Sequence, residues 1–427
     1  MTVLLVITAI LALCLLRIPI AVAIGAVGMV GLVVKKGPNS IFDSALSIFD
    51  GALNFPLLAI PLFILAGALM NTSGISRRLI AFTNALIGFV RGGLAMVNVG
   101  VSMFFAEISG SAVADVAAIG SVLIPAMKKR GYGAELSAAV TSSSASIAII
   151  IPPSIAMILY GAISDTSIVQ LFVAGIVPGL LGGLSLMGLC YWYAVKHSLP
   201  REESFSLRRV GTAAKESFWA LLLPVIILGG ILSGLVTATE GAGLAVLAAF
   251  FIGTFIYREL NVRLLMDALS EGVVQTAAVM LLVAASKVLG LYLTEIQVPQ
   301  MLTAGILDLT GDKFMVLALM NLLLLGLGMF LHGAAAIILV VPIVMPLVHQ
   351  LGIDPVHFGL IVTLNLAIGQ QTPPVASVLA TACSIAKTDI WGTTKVNLPF
   401  IGVLLGVLLL VTYVPAIPLF LVEVFYR

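Results

Sequence analysis

Apolar segments of 18 or more residues recur from one end of this 427-residue chain to the other. A helix needs about 20 apolar residues to cross a bilayer core, so the chain reads as an all-α, multi-pass membrane protein. Within hydrocarbon every backbone N–H and C=O must find a partner inside the protein, which leaves helices as the spanning unit for runs of this length. Charge is correspondingly scarce: 9% of residues are Asp, Glu, Lys or Arg, against about 25% in soluble domains. The first apolar run continues past Arg17 and lacks a basic start, so no cleavable signal peptide is expected. Cys14, Cys190 and Cys383 lie far apart in apolar surroundings and read as core residues, not as a disulfide or metal set. No G-x-x-x-x-G-K-[ST], H-E-x-x-H or G-x-S-x-G sequence occurs, which argues against an ATP motor and against an intramembrane hydrolase.

Two of these runs carry adjacent prolines, Pro152–Pro153 and Pro373–Pro374. Proline inside a helix removes a hydrogen bond, at a cost of roughly 3 kcal/mol. The pairs also share a spacing. A shift of 221 residues places Pro125 on Pro346, Pro152 on Pro373, Pro153 on Pro374 and Pro178 on Pro399. The chain therefore reads as two repeats, 1–195 and 217–427, joined by a polar linker at 196–216.

Lys and Arg favour cytoplasmic loops, and the linker is rich in both, so it is placed in the cytoplasm. The first repeat then has a helix pair (1–16, 18–34), an amphipathic arm (41–54) and a crossing (56–72), with scaffold and arm together spanning 1–90. Within 91–161 it has a re-entrant hairpin (92–108, 112–127) and a broken crossing (137–161). A crossing at 168–195 completes it. The second repeat runs oppositely. Its crossings are 217–236, 241–257 and 272–293, in a scaffold region 217–300. Within 313–386 it has a hairpin (314–330, 334–349) and a broken crossing (357–386), followed by a last crossing at 398–424. This trace leaves Lys35, Lys36, Lys313 and Arg427 outside and Lys287 in the membrane, with the other 16 of 21 basic residues in the cytoplasm. Lys35 and Lys36 run against it locally. Two oppositely oriented repeats with discontinuous helices are the build of a secondary transporter, with ligand sites at the breaks near the bilayer centre.

Four stretches resemble the large membrane subunit of TRAP (tripartite ATP-independent periplasmic) transporters, the DctM type. They are "ISGSAVADVAAIGSVLIPAMKKRGY" (108–132), "SSSASIAIIIPPS" (142–154), "NLAIGQQTPPVAS" (365–377) and "GGILSGLVTATEGAG" (229–243). The resemblance covers essentially the whole chain. It implies a Na⁺-driven importer of organic acids in the cytoplasmic membrane of a bacterium or archaeon. It also implies two partners, a small membrane subunit of the DctQ type and a periplasmic substrate-binding protein of the DctP type. The implied mechanism is an elevator, in which hairpins and broken helices move as one body against a scaffold. Ala376 stands where the family pattern has glycine.

Na⁺ is a hard cation and takes oxygen ligands. A first oxygen cage would draw on Ser109, Gly110 and Ser111 at one hairpin tip with Ser143, Ser144, Ser146 and the carbonyls ahead of Pro152. A second would draw on Gly328 and Gly333 with Asn365, Gly369, Gln370 and Thr372 ahead of Pro373. Small residues at these positions equally suit close helix packing. His332 is a candidate for the ion, for substrate or for a plain carbonyl bond. Pro153 and Ser154, at the start of a half-helix, are substrate candidates.

Asp115 and Glu107 flank the first tip. An intramembrane acid is a functional candidate because burying its charge is costly, and Asp115 fits ion coupling or helix capping. Glu240 reads as a helix cap after Thr239. Lys287 can meet a substrate carboxylate, pair with an acid across a subunit contact or snorkel to the interface. The competing function is a stand-alone Na⁺/anion symporter of the same build; a channel would show ohmic flux. Neither an organic cofactor nor a nucleic-acid partner is expected.

Overall fold

The computed structural model describes residues 2–16, 18–109, 111–199 and 205–426. The Arg17 turn, Gly110, Arg427 and the side chains of Cys14, Glu107 and Ser109 lie outside the described residues. The first half contains α1 (Thr2–Leu15), α2 (Ile20–Lys36), α3 (Ser40–Ala52), a 3-10 turn (Phe55–Leu58), α4 (Ala59–Thr72) and α5 (Ile75–Ile87). It continues with α6 (Gly93–Ser109), α7 (Ala112–Lys129), α8 (Ala134–Ala148), α9 (Ile155–Ser164) and α10 (Ile168–Lys196). The second half contains α11 (Leu207–Leu232), α12 (Ala238–Phe251) with a wide turn at Ile252–Ile256, α13 (Val262–Glu295) and α14 (Val298–Leu309). After these come α15 (Lys313–Phe330), α16 (Gly333–Gln350), α17 (Pro355–Gly369), α18 (Ser377–Ala386), α19 (Ile390–Tyr413) and α20 (Ala416–Tyr426). Among the described residues, eight helical segments are long and apolar enough to cross a membrane.

Local chemistry sets many of these starts. Asp312, Asp354 and Asp389 each accept backbone N–H bonds at the first turn of α15, α17 and α19, satisfying donors that a helix start leaves orphaned. Glu240 does cap α12, but its partner is Thr237 and not Thr239: the two exchange side-chain and backbone bonds in a capping box.

Several boundaries differ from the sequence expectation. Leu207 already opens α11, so the second half of the polar linker is helix. The crossing expected at 272–293 is the outer part of the 34-residue α13, which fuses arm and crossing into one rod. The final crossing starts at Ile390 and breaks at Val414–Pro415 into α19 and α20. Neither α5 nor α14 was anticipated. In α5 the polar residues Ser76, Arg77 and Arg78 hide a one-sided stripe, Ile75–Leu79–Thr83, whose members are buried at i, i+4 and i+8.

The repeat spacing extends beyond the prolines. Helices α6, α7, α8, α9 and α10 start at 93, 112, 134, 155 and 168, and α15 to α19 start at 313, 333, 355, 377 and 390. Packing follows the same exchange: α7 lies on α18 and α9 on α16, α8 on α19 and α17 on α10, α2 on α13 and α12 on α4. Several polar contacts join ends that the charge-based trace puts on one side. Arg77 and Arg78 each bond Glu259 at 2.8 Å, Lys128 Nζ donates to the Ala386 carbonyl at 2.7 Å, and Lys36 pairs with Glu295 at 2.8 Å. The Lys36 charge, discordant in the trace, is thus paired with an acid.

The exchange is not complete: α5 packs on α11 and α6 on α10 without packing of like extent between α14 and α1 or between α15 and α19, and the hairpins differ as well. In the first half α4 and α5 pack on α6, the entering arm of the first hairpin; in the second half α13 and α14 pack on α16, the returning arm. The hairpins and broken helices thus sit unequally against the flanking helices α2–α5 and α11–α14.

Candidate functional site

Both hairpin tips open into one cavity of about 590 Å³. One wall comprises Ser111 to Ala114 at the start of α7, Ile155 and Ala156 at the start of α9, and His332 to Ala334 at the start of α16. Thr363 and Gln370 of α17 complete that side. The facing wall consists of Gly67, Ala68 and Asn71 from α4 and Glu271, Gln275 and Ala278 from α13. Three helix N-termini therefore border one space, each with backbone N–H groups that lack intrahelical partners and with the positive end of its dipole. Among the described lining residues none is Lys or Arg, and Glu271, bonded by Gln275 Nε2 at 3.1 Å, is the one charged residue.

The structure brings some of the expected residues to this space and others elsewhere. Ser111, His332, Gly333 and Gln370 line it. Asp115 is buried in the first turn of α7, where an acid meets the positive helix end, but it is not among the lining residues. Ser154 caps α9 by accepting from the Met157 N–H at 3.4 Å, and Pro152–Pro153 and Pro373–Pro374 form the cis breaks ahead of α9 and α18. Lys287 lies outside the cavity, on the α3 side of α13.

The serines of α8 diverge. Ser143 Oγ lies 2.8 Å from both Gln371 Oε1 and Asn397 Oδ1, linking the first repeat to the second. Ser144 bonds to Ser102 at 2.9 Å and Asn98 at 3.2 Å on α6. Ser146 bonds back to the Ser142 carbonyl at 3.0 Å. Asn365, which the 221 spacing sets opposite Ser144, bonds Asn321 on α15 at 2.7 Å, and Asn321 in turn bonds Thr412 at 3.1 Å. Each broken helix is thus tied to its own hairpin by a buried polar group at the equivalent position. Thr372 bonds its own helix at Ile368. Gly328 and Gly369 cross so closely that a Cβ on Gly369 would stand 2.6 Å from Gly328 backbone.

Ser142 Oγ and Asn365 Oδ1, on the broken helices, are buried without a partner among the described residues, as are Thr254 Oγ1 and Thr303 Oγ1 elsewhere in the chain. An orphaned buried oxygen carries a desolvation cost that a hard cation removes. Sequence reasoning missed Asn71, Glu271 and Gln275, which sit in scaffold segments read as framework, and Gln371 and Asn397. The polar residues inside α4 and α19 were the available signal.

The profile described as "Tripartite ATP-independent periplasmic transporter, DctM component" matches residues 7–417. This chain belongs to the DctM family. The isethionate TRAP transporter permease protein DctMQ of Oleidesulfovibrio alaskensis is 45% identical over 319 residues, which cover 74% of this chain and 50% of that protein. The DctM chain thus spans about half the length of that relative. The C4-dicarboxylate TRAP transporter large permease protein DctM of Pseudomonas aeruginosa is 39% identical over 317 residues, 74% of each chain. The sialic acid TRAP transporter large permease protein SiaM of Vibrio cholerae is 38% identical over 324 residues, 76% of each. The crystal structure of the YdaH transporter of Alcanivorax borkumensis superimposes with a TM-score of 0.61 at 15% identity, covering 88% of both chains, a likeness of fold. The DctM chain is accordingly a multi-pass membrane transporter permease and not an enzyme.

Proposed function

We propose that this chain is the large subunit of a Na⁺-coupled, binding-protein-dependent importer of small organic acids in the cytoplasmic membrane of a bacterium or archaeon. The carrying observation is the cavity bordered by the starts of α7, α9 and α16. Helix N-termini bind anions without a basic side chain, through N–H groups and the dipole. Ser111, His332, Thr363 and Gln370 supply further polar contacts for a carboxylate or sulfonate and its hydroxyls. Relatives whose names specify isethionate, C4-dicarboxylates and sialic acid favour a small organic anion as the substrate class.

Na⁺ enters as co-substrate. The orphaned oxygens Ser142 Oγ and Asn365 Oδ1, together with carbonyls freed ahead of Pro152 and Pro373, are suitable ligands, and positive charge there would strengthen anion binding. The unequal packing of the two hairpins against α4–α5 and α13–α14 favours an elevator: exchanging the roles of the halves yields a second arrangement of the same parts. The names of the relatives, one of them a DctMQ protein, favour a small membrane subunit and a soluble binding protein as partners.

Filling the cavity tests this reading. Ala278→Trp, from the scaffold wall, should abolish Na⁺-driven uptake of labelled isethionate, succinate or sialic acid in proteoliposomes. Val273→Trp, on the opposite face of α13 at 66% exposure, should leave it near wild type. Full uptake by the Ala278→Trp protein would remove the cavity from the transport path.

A further inference from the structure

A second cavity, of about 410 Å³, lies farther along the same seam between α13 and α16. Its scaffold wall holds Ser47 and Asp50 of α3 and Ser286, Lys287 and Gly290 of α13; Ile338 and Pro342 of α16 face them. Lys287 is exposed to this space and forms no ion pair with a described residue, and its stem lies against Gly51, where a Cβ would sit 2.6 Å from Lys287 Cγ. Ser286 follows Gln275 by 11 residues, three helical turns or about 16 Å, and so continues the face that borders the first cavity.

We propose that Lys287 is the scaffold's anion-contact residue in the second transport state, where a shift of the body along α13 brings the starts of α7 and α16 from beside Gln275 to beside Ser286 and Lys287. This inference rests on the elevator reading above.

The repeat makes the case. Asp50 and Glu271 stand 221 residues apart and line the two cavities, so each end of the seam has its acid. The position equivalent to Lys287 is Ala66, so the cation exists at one end alone. In the charge-based trace α13 runs from the cytoplasm outward, which puts Glu271 at the inner end and Lys287 toward the outer one. An anion riding the N-termini therefore meets a wall carrying a cation outside and a wall with only an acid inside. Capture is favoured at the first and release at the second, the asymmetry an importer needs. A charge-assisted contact at such a site contributes about tenfold or more in affinity.

The test is sided. In proteoliposomes holding the transporter with its small subunit, and with its soluble binding protein supplied on the Lys287 side, the acid that wild type carries (isethionate, succinate or sialic acid) is titrated first from the Lys287 side and then from the opposite side in exchange. Lys287→Gln should raise the half-saturating concentration about tenfold from the Lys287 side and leave the other unchanged, and Lys287→Arg should restore it. Equal shifts from both sides, or none, would overturn the proposal. So would a shift that vanishes in purely zwitterionic vesicles, since it would assign the cavity to an anionic lipid headgroup. Absence of uptake in wild type with both the Na⁺ gradient and the binding protein present would instead defeat the transport reading itself.

Discussion

At the scale of single residues, Ala376 connects backbone geometry to the Pro373–Pro374 break. It caps α18 with φ 48° and ψ 52°, in the left-handed region. A non-glycine residue there costs roughly 1–2 kcal/mol, because Cβ crowds the following carbonyl. Glycine removes that strain but gives the unfolded chain more freedom to lose, about 0.4–1 kcal/mol. Ala376→Gly should therefore keep or modestly raise the melting temperature of the purified protein, while Ala376→Val should lower it. A clear loss on Ala376→Gly would contradict the strain argument. The sequence marks this position only as a departure from a family pattern; that the chain turns left-handed there depends on how the Pro373–Pro374 segment is held between α17 and α18. Ser143 shows the same limit. Its hydroxyl type and apolar context are legible, but its partners Gln371 and Asn397 lie 228 and 254 residues away.

At the scale of elements, the apolar runs and proline pairs were enough to read the hairpins and broken helices, because burial and helix breaking act locally. The sequence reading failed at helices whose surface is partly polar. Arg77 and Arg78 obscured α5, although Arg78 stacks on Tyr257 at 3.7 Å and bonds Glu259, tying α5 to the α12–α13 connection. It also began the third crossing of the second repeat at 272 and left the residues before it without an element, where Val262–Glu295 is one continuous helix; the first repeat interrupts the same stretch at Asn54–Phe55–Pro56. The crossing of α15 and α17 at Gly328 and Gly369 was read as a candidate ion site, and its geometry adds a packing role. Gly369→Ala should cost about 1–3 kcal/mol by forcing the two backbones apart. Thermal unfolding of the variant checks it, and an unchanged transition would mean that the hairpin can shift freely at this point.

At the scale of the whole molecule, the proposed elevator would join the hairpins and broken helices, which carry the helix N-termini, into one body against the flanking helices, which carry the charged walls. Many of the helix contacts pack by exchange between the halves, and one of the inequalities falls where the flanking helices meet the hairpins. The proposed elevator requires a second arrangement of these parts, and a ligand that binds the two states differently would shift the balance between them. The most direct test of this account is uptake of labelled isethionate, succinate and sialic acid into proteoliposomes containing the chain and its small subunit. It would be run with and without an inward Na⁺ gradient, and with and without a soluble binding protein. The account predicts accumulation of one of these acids only when both the gradient and the binding protein are present. Accumulation with the gradient alone would make the chain a stand-alone symporter, and flux indifferent to Na⁺ would contradict the coupling at the centre of the account.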